Sequence, residues 1–367
     1  MTAPVVFEAT ATDGAARTGW ARTVNGAYRT PCFMPVGTRG AVKYLSAADY
    51  DTLGAEIVLA NTYHLMLRPG ADVVAAFGGV GRFAGWDGLT LTDSGGYQVF
   101  SLGPSIDDDG VTFRSTYDGS RHRLTPESAV AIQEQLGATV QMALDVCPAL
   151  PSPPDVVRLA MDRTAAWAKR ARATHQRADQ ALFGIVQGGI DEAWRAESAR
   201  LVADLDFDGY GIGGLSVGET RAEMLPALAA AVAELPADRP RYLMGVGDPA
   251  SVVEAVALGV DQFDCVLPTR LGRHGTALTS LGKVQVRNAR FATSAEPVDP
   301  TCGCAVCARH SVGYLRHLFQ VNEPTAARLL TWHNLAWTFA LMDRLRDAVA
   351  AGSLATLRAD ILAVWAG

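Results

Sequence analysis

The chain has no run of eighteen or more apolar residues, and its first residues lack the basic, apolar and small-residue order of an export signal. Neither a membrane span nor secretion is expected, so the compartment to expect is cytoplasmic. Cysteine is scarce, with six residues at 32, 147, 265, 302, 304 and 307. Three are scattered and three clustered, which suits a reducing compartment and a metal better than a disulfide framework. The sequence has no phosphate loop of the G-x-x-x-x-G-K type. The Gly-rich pieces G-V-G at 245–247 and S-G-G at 94–96 do not meet nucleotide-binding spacings. Acidic residues are missing altogether from Cys265 to Ala292, although the whole chain carries a net charge of -6.

What is present is enough for a large core: 367 residues, 49% of them apolar. Residues 1–30 alternate apolar and polar around Asp13-Gly14 and Asn25-Gly26, as short antiparallel strands do. From Thr30 onward, short apolar runs alternate with amphipathic stretches. The runs are Cys32 to Val36, Ile57 to Ala60, Leu89 to Thr92, Val140 to Leu144, Leu182 to Val186, Tyr210 to Ile212, Tyr242 to Gly245 and Val260 to Val266. Helical patterns include Ser46 to Leu53, Pro126 to Leu136, Pro154 to Arg177, Glu192 to Leu205, Arg221 to Leu235 and Ala250 to Leu258. Eight such runs with helices between them predict an α/β fold, a (β/α)₈ TIM barrel. The expected organisation is an N-terminal antiparallel cap (1–30), a catalytic barrel (31–292 and 334–367) and an inserted zinc-binding subdomain (293–333).

A barrel of this kind gathers its chemistry at the carboxyl ends of the strands. Those ends carry Asp93 in T-D-S-G-G-Y-Q, Asp145 in A-L-D-V-C, Gln187 in V-Q-G-G, Gly213 and Gly214 in I-G-G-L, Met244 in Y-L-M-G-V-G, and Asp264 in F-D-C-V. An aspartate ending a strand often only caps the next helix. Six polar or glycine-rich ends at one rim point instead to a shared site. Two separated carboxylates permit double displacement at an anomeric carbon, with one attacking and the other moving a proton; Asp264 and Asp93 are the candidates. Asp145, the Gln187 amide and the peptide groups near Gly214 and Leu215 match the edge of a purine-like base. Tyr97 and Met244 can hold its faces.

Past the last strand, Cys302, Cys304 and Cys307 form C-x-C-x2-C, and His333 follows in W-H-N-L. Three thiolates and an imidazole suit a closed structural zinc site, with His310 and His317 as neighbouring alternatives for the fourth ligand. Between Cys265 and Ala292 lie Arg270, Arg273, Lys283, Arg287 and Arg290. A local basic face on an acidic chain suits one folded RNA, and readers of RNA sequence address unstacked loop nucleotides.

With these motifs assembled, the chain resembles the bacterial tRNA-guanine transglycosylases (queuine tRNA-ribosyltransferases) over nearly its full length. The likeness is carried by P-C-F-M-P-V-G-T-R-G at 31–40, N-T-Y-H-L at 61–65, L-T-D-S-G-G-Y-Q-V-F at 91–100, G-I-V-Q-G-G at 184–189, G-I-G-G-L-S-V-G-E at 211–219, the 261–276 stretch and the C-x-C-x2-C…H set. It implies a zinc-bearing barrel that exchanges the wobble guanine (guanine-34) of tRNAs with a G-U-N anticodon for a 7-deazaguanine, in queuosine biosynthesis. Asp264 would attack C1′ of the ribose to give a covalent enzyme-tRNA intermediate, and Asp93 would accept and donate the proton. The base would be contacted by Asp93, Ser94, Gly95, Gly96, Tyr97, Asp145, Gln187, Gly213, Gly214, Leu215 and Met244. RNA contacts are implied for Gly245, Val246, Gly247, Asp248, Pro249, Ala250 and Ser251, and wobble recognition for Thr269, Arg270, Leu271, Gly272 and Arg273.

Val217, where glycine would open room for queuine, resembles the bacterial form that takes 7-aminomethyl-7-deazaguanine (preQ1). Val146, Ser216 and the loop L-G-R-H-G depart from the family's commoner residues. Members are homodimers with an aromatic cluster near the zinc module, matched here by Phe83, Tyr314 and His317. Two other readings compete. A retaining barrel glycosidase would line its cleft with tryptophans, whereas the seven here fall mainly in helical or loop stretches. A non-catalytic tRNA-binding subunit would lack one of the two aspartates.

Overall fold

The computed structural model describes residues 4–366; the outermost residues of the expected cap (1–3) and of the barrel's last segment (367) lie outside them. Eight parallel strands close into a barrel. They are β1 (Cys32–Met34, continuing as Val36–Gly37), β2 (Ile57–Ala60), β3 (Leu89–Thr92), β4 (Val140–Met142), β5 (Ala181–Val186), β6 (Gly209–Ile212), β7 (Arg241–Leu243) and β8 (Gln262–Asp264). β1 closes the ring by pairing on one side with β8, through Phe33 and Phe263, and on the other with β2, through Val36 and Leu59. Pro35 divides β1 because it has no N–H to give to the ladder, yet its carbonyl still accepts from the Leu59 amide at 3.0 Å.

Each strand is short and nearly all its residues are buried, which is why the apolar runs are continuous rather than alternating. Inward-facing Met34, Leu59, Leu91, Met142, Phe183, Ile185 and Tyr242 fill the barrel. The outer faces pack against the helices, among them α1 (Pro126–Leu136), α2 (Glu192–Ala203) and α3 (Pro249–Ala257). Caps set where these begin: Thr125 accepts from the Ser128 amide, Asp191 from Trp194 and Asp248 from Ser251.

Residues 5–30 form a three-stranded antiparallel sheet, Val5–Asp13, Ala16–Thr23 and Gly26–Thr30. It seals the amino end of the barrel. Arg17 makes a bidentate pair with buried Asp261, with Nε to Oδ1 at 2.8 Å and Nη2 to Oδ2 at 2.6 Å. Tyr28, wholly buried, packs with the barrel's interior residues and receives a hydrogen bond from Gln262. The chemistry is thereby left to the opposite mouth.

Three features go beyond the sequence reading. A three-stranded antiparallel insertion (Ser105–Ile106, Val111–Arg114, Arg121–Leu124) lies between β3 and α1. The segment after Pro268, expected as a loop, is a helix, α4 (Leu267–Arg273), with the proline in its first turn. The helical stretch expected around His333 extends to a single 27-residue helix, α5 (Pro324–Ala350), unbroken through 333–334. Among the described residues no helix is long and apolar enough to cross a membrane.

Candidate active site

At the carboxyl mouth the strand ends meet around one cavity of about 390 Å³. Its wall contains Asp93 to Tyr97, Asp145, Gly213 to Leu215, Met244, Gly245 and Asp264, so the residues expected from the strand-end argument converge. Gln187 is the exception. It is buried and stands behind the wall, donating Nε2–H to Oδ2 of Asp145 at 2.6 Å.

The two aspartates proposed for the reaction are held differently. Asp93 follows β3, and its carboxylate accepts from Asn61 Nδ2 at 2.5 Å, the Thr62 amide at 3.0 Å and the Gly95 amide at 3.1 Å. Burial outweighs these donors and pushes its pKa up to about 7, with the nearby charge of Asp264 acting in the same direction. Such a group can both give and take a proton near neutral pH. Asp264 ends β8 and accepts from the Tyr242 hydroxyl at 2.6 Å and the Gly245 amide at 2.8 Å, both on Oδ1. Among the described residues no donor reaches Oδ2, so that oxygen is free to react. Burial raises the pKa of Asp264, while the Tyr242 and Gly245 bonds favour its charged form.

Asp145 is also raised, to about 6, by burial against the hydrogen bond from Gln187. Beside it, Gly214 takes a positive φ of 67° and approaches so closely that an added Cβ would sit 2.3 Å from Gln187 Oε1. Only glycine fits there. Tyr97 is 59% exposed, a flat apolar face at the rim, and Met244 lies across the wall from it in sequence and strand order.

The basic segment is resolved into exposed and buried parts. Arg270 is exposed and reaches the cavity rim, and Arg273, half-buried on the next turn, donates to Thr269 Oγ1 at 3.4 Å. Thr269 and Gly272 are buried, and a Cβ on Gly272 would lie 2.7 Å from the Thr331 amide nitrogen, so α4 packs tightly on α5. In the 245–251 segment only Gly245 and Asp248 are partly open. Val246, Gly247, Pro249, Ala250 and Ser251 are buried, and Asp248 is engaged as the cap of α3 with Arg221 3.9 Å away.

Cys302, Cys304, Cys307 and His333 bring their ligand atoms within 4.8 Å of one another, a set able to hold a metal ion. His333 Nδ1 lies 3.9, 3.4 and 3.4 Å from the three sulfurs in chain order, close to the ligand separations of a tetrahedron with bonds near 2 Å. Its Nε2 is 2.9 Å from the Leu278 carbonyl, which fixes Nδ1 as the free nitrogen. Of the alternatives, His310 stacks on Tyr314 with ring centroids 5.3 Å apart. The neighbouring Asn334 accepts from the Leu278 amide and donates to the carbonyls of Pro268 and Thr276, so the cluster and α4 share one support.

Sequence reasoning did not single out Asn61, Tyr242 or Arg195. Asn61 was within reach, since it ends the apolar run of β2 just as Asp93 ends that of β3. Tyr242 could have been found from inward alternation along β7.

A sequence model of the family described as "Queuine tRNA-ribosyltransferase" matches residues 12–366. Proteins named Queuine tRNA-ribosyltransferase are similar over almost all of it. The one from Herpetosiphon aurantiacus is 52% identical over 92% of this chain and 86% of its own. That from Gluconacetobacter diazotrophicus is 51% identical, covering 96% and 92%, and that from Solidesulfovibrio magneticus 48% identical, covering 100% and 99%.

Proposed function

The chain belongs to the queuine tRNA-ribosyltransferase family and is an enzyme, a tRNA-guanine transglycosylase; from that premise we propose how its own residues carry the exchange. The reaction is assigned to guanine-34 of G-U-N tRNAs, with preQ1 as the incoming base and Val217 bounding the room for its substituent. Asp264 Oδ2 attacks C1′, forming a C1′–O bond as the C1′–N9 bond breaks, and the departing guanine takes the proton held by Asp93. The incoming base then loses its N9 proton to Asp93 as N9 attacks C1′ and expels Asp264. Two inversions retain the configuration.

The observation that carries this reading is the asymmetry of the two carboxylates. One is tied by all its donors through a single oxygen and keeps the other free to attack. Its neighbour is poised near pH 7 to shuttle a proton. Asp93 to Tyr97, Asp145, Gln187, Gly213 to Leu215 and Met244 are proposed to hold the base. RNA contacts are proposed at 245–251 and 269–273, where Gly245, Arg270 and Arg273 are the open members. A non-catalytic tRNA-binding subunit is disfavoured by both aspartates facing one cavity.

We assign Zn2+ to the Cys302, Cys304, Cys307 and His333 cluster, one ion per subunit, where it would join the subdomain at 293–333 to α5 and supply no reacting group. A homodimer, packing near the exposed Tyr314 and His317, and a cytoplasmic location complete the proposal. Incubating the protein with labelled guanine and a G-U-N tRNA tests it: label should enter the tRNA, and no incorporation by intact protein would sink the reading.

A further inference from the structure

Arg195, on α2, is a wholly buried cation with no carboxylate partner among the described residues. All its hydrogen bonds go to backbone carbonyls at two adjacent strand exits. Nε donates to Gly189 at 2.7 Å, Nη1 to Val186 at 3.1 Å and Gly213 at 2.7 Å, and Nη2 to Gly214 at 3.1 Å. A buried cation held only by dipoles is costly, and burial pulls its pKa down to about 10. A site that retains it has a use for it.

The use follows from peptide geometry. In a trans peptide the N–H points opposite to the C=O. The carbonyls of Gly213 and Gly214 are both turned to Arg195, so the amides bonded to them, of Gly214 and Leu215, point away from it. Gly214 and Leu215 both line the active-site cavity. Among the described residues neither amide donates to any protein acceptor, whereas the preceding Gly213 amide is spent on Val186. Two adjacent, unspent donors at a cavity wall, polarised from behind by a guanidinium, form a site for a carbonyl oxygen that gains negative charge.

We propose that Arg195 is a positioning residue for base recognition: it clamps the Gly213–Gly214 turn so that the Gly214 and Leu215 amides meet the exocyclic oxygen of a 6-oxopurine. Arg195 touches no substrate itself. The inference rests on the transglycosylase reading and deepens it by naming what selects an oxo base over one without the oxygen.

The test is a ratio rather than a rate. Binding of guanine and of 2-aminopurine, which lacks the 6-oxygen and with it the N1 proton, is measured on wild type and on Arg195→Lys and Arg195→Gln. Wild type should favour guanine by at least about tenfold, because a site built to donate is left unpaired by the analogue. In either variant the ratio should fall by about threefold or more, through weaker binding of guanine, while the affinity for tRNA is unchanged. A purely structural role would weaken both bases together and leave the ratio standing, which would overturn the proposal. Equal affinity of wild type for the two bases would overturn it too, whether or not the variants fold. Failure of the underlying reading would look different, as absence of guanine exchange in wild type.

Discussion

The Tyr242 hydroxyl donates to Oδ1 of Asp264 at 2.6 Å from the neighbouring strand. Tyrosine and aspartate stand on β7 and β8, both pointing into the barrel mouth, so the carboxylate is oriented by the sheet itself rather than by a loop. Together with the Gly245 amide, the bond fixes which oxygen faces the cavity. Replacing Asp264 with asparagine keeps the shape and the Oδ1 acceptor but removes the nucleophile. Asp264→Asn should give no denaturation-resistant protein-tRNA adduct and lower exchange by about 10⁴ or more. An adduct at wild-type yield on a denaturing gel would move the nucleophile elsewhere.

Asp93 makes a prediction in pH. With its pKa raised to about 7, it holds its proton below that value and loses it above. If it protonates the departing guanine, kcat/KM for tRNA should fall as pH rises past about 7, by up to tenfold per unit. Asp93→Ala should eliminate exchange while leaving tRNA binding largely intact. A wild-type profile flat from pH 6 to 9, or turnover by the variant, would count against the assignment.

The same shift has a consequence for stability. The folded state binds the Asp93 proton more tightly than the unfolded chain, so the unfolded state holds fewer protons between about pH 4 and 7, and this group's contribution to stability falls as pH rises through that window. The effect is on the order of a few kcal/mol. Measured by denaturant unfolding, the difference between Asp93→Ala and wild type should therefore move in the variant's favour from pH 5 to pH 8. Movement in the opposite direction would show that the carboxylate is not disfavoured by its surroundings.

Much of this was readable from residues alone. Parallel strands with helices outside and packed side chains inside are buried on both faces, so all eight showed as apolar runs, and their ends, Gln187 apart, named the cavity wall. The α4 helix did not show, because Pro268 and Gly272 resemble loop signals. Here the proline starts the helix and the glycine permits close packing on Thr331. Arg195 did not show either. In A-W-R-A-E-S it looks like one cation on a solvated helix face, and only the fold turns it toward the carbonyls of β5 and β6.

The cysteine cluster is expected to be structural. Cys304→Ala, or treatment with a strong chelator, should abolish bound zinc and lower the melting temperature by several degrees, without altering guanine affinity at the cavity, none of whose lining residues belongs to the cluster. Unchanged metal content would remove Cys304 from the ligand set.

On α4, Arg270 is placed to meet phosphate or base at the cavity rim, with Arg273 one turn away. If each neutralises one phosphate, Arg270→Ala and Arg273→Ala should each weaken tRNA binding and reduce the slope of log K against log salt by about one. A slope identical to wild type in both variants would place the RNA on another face.

The most direct measurement is to trap the protein on a G-U-N tRNA without acceptor base, denature and digest the product, and sequence the peptide that retains ribose. The account predicts the sugar on Asp264, within the peptide that contains Phe263 and Cys265. Ribose on Asp93, on Asp145 or on no residue at all would contradict it.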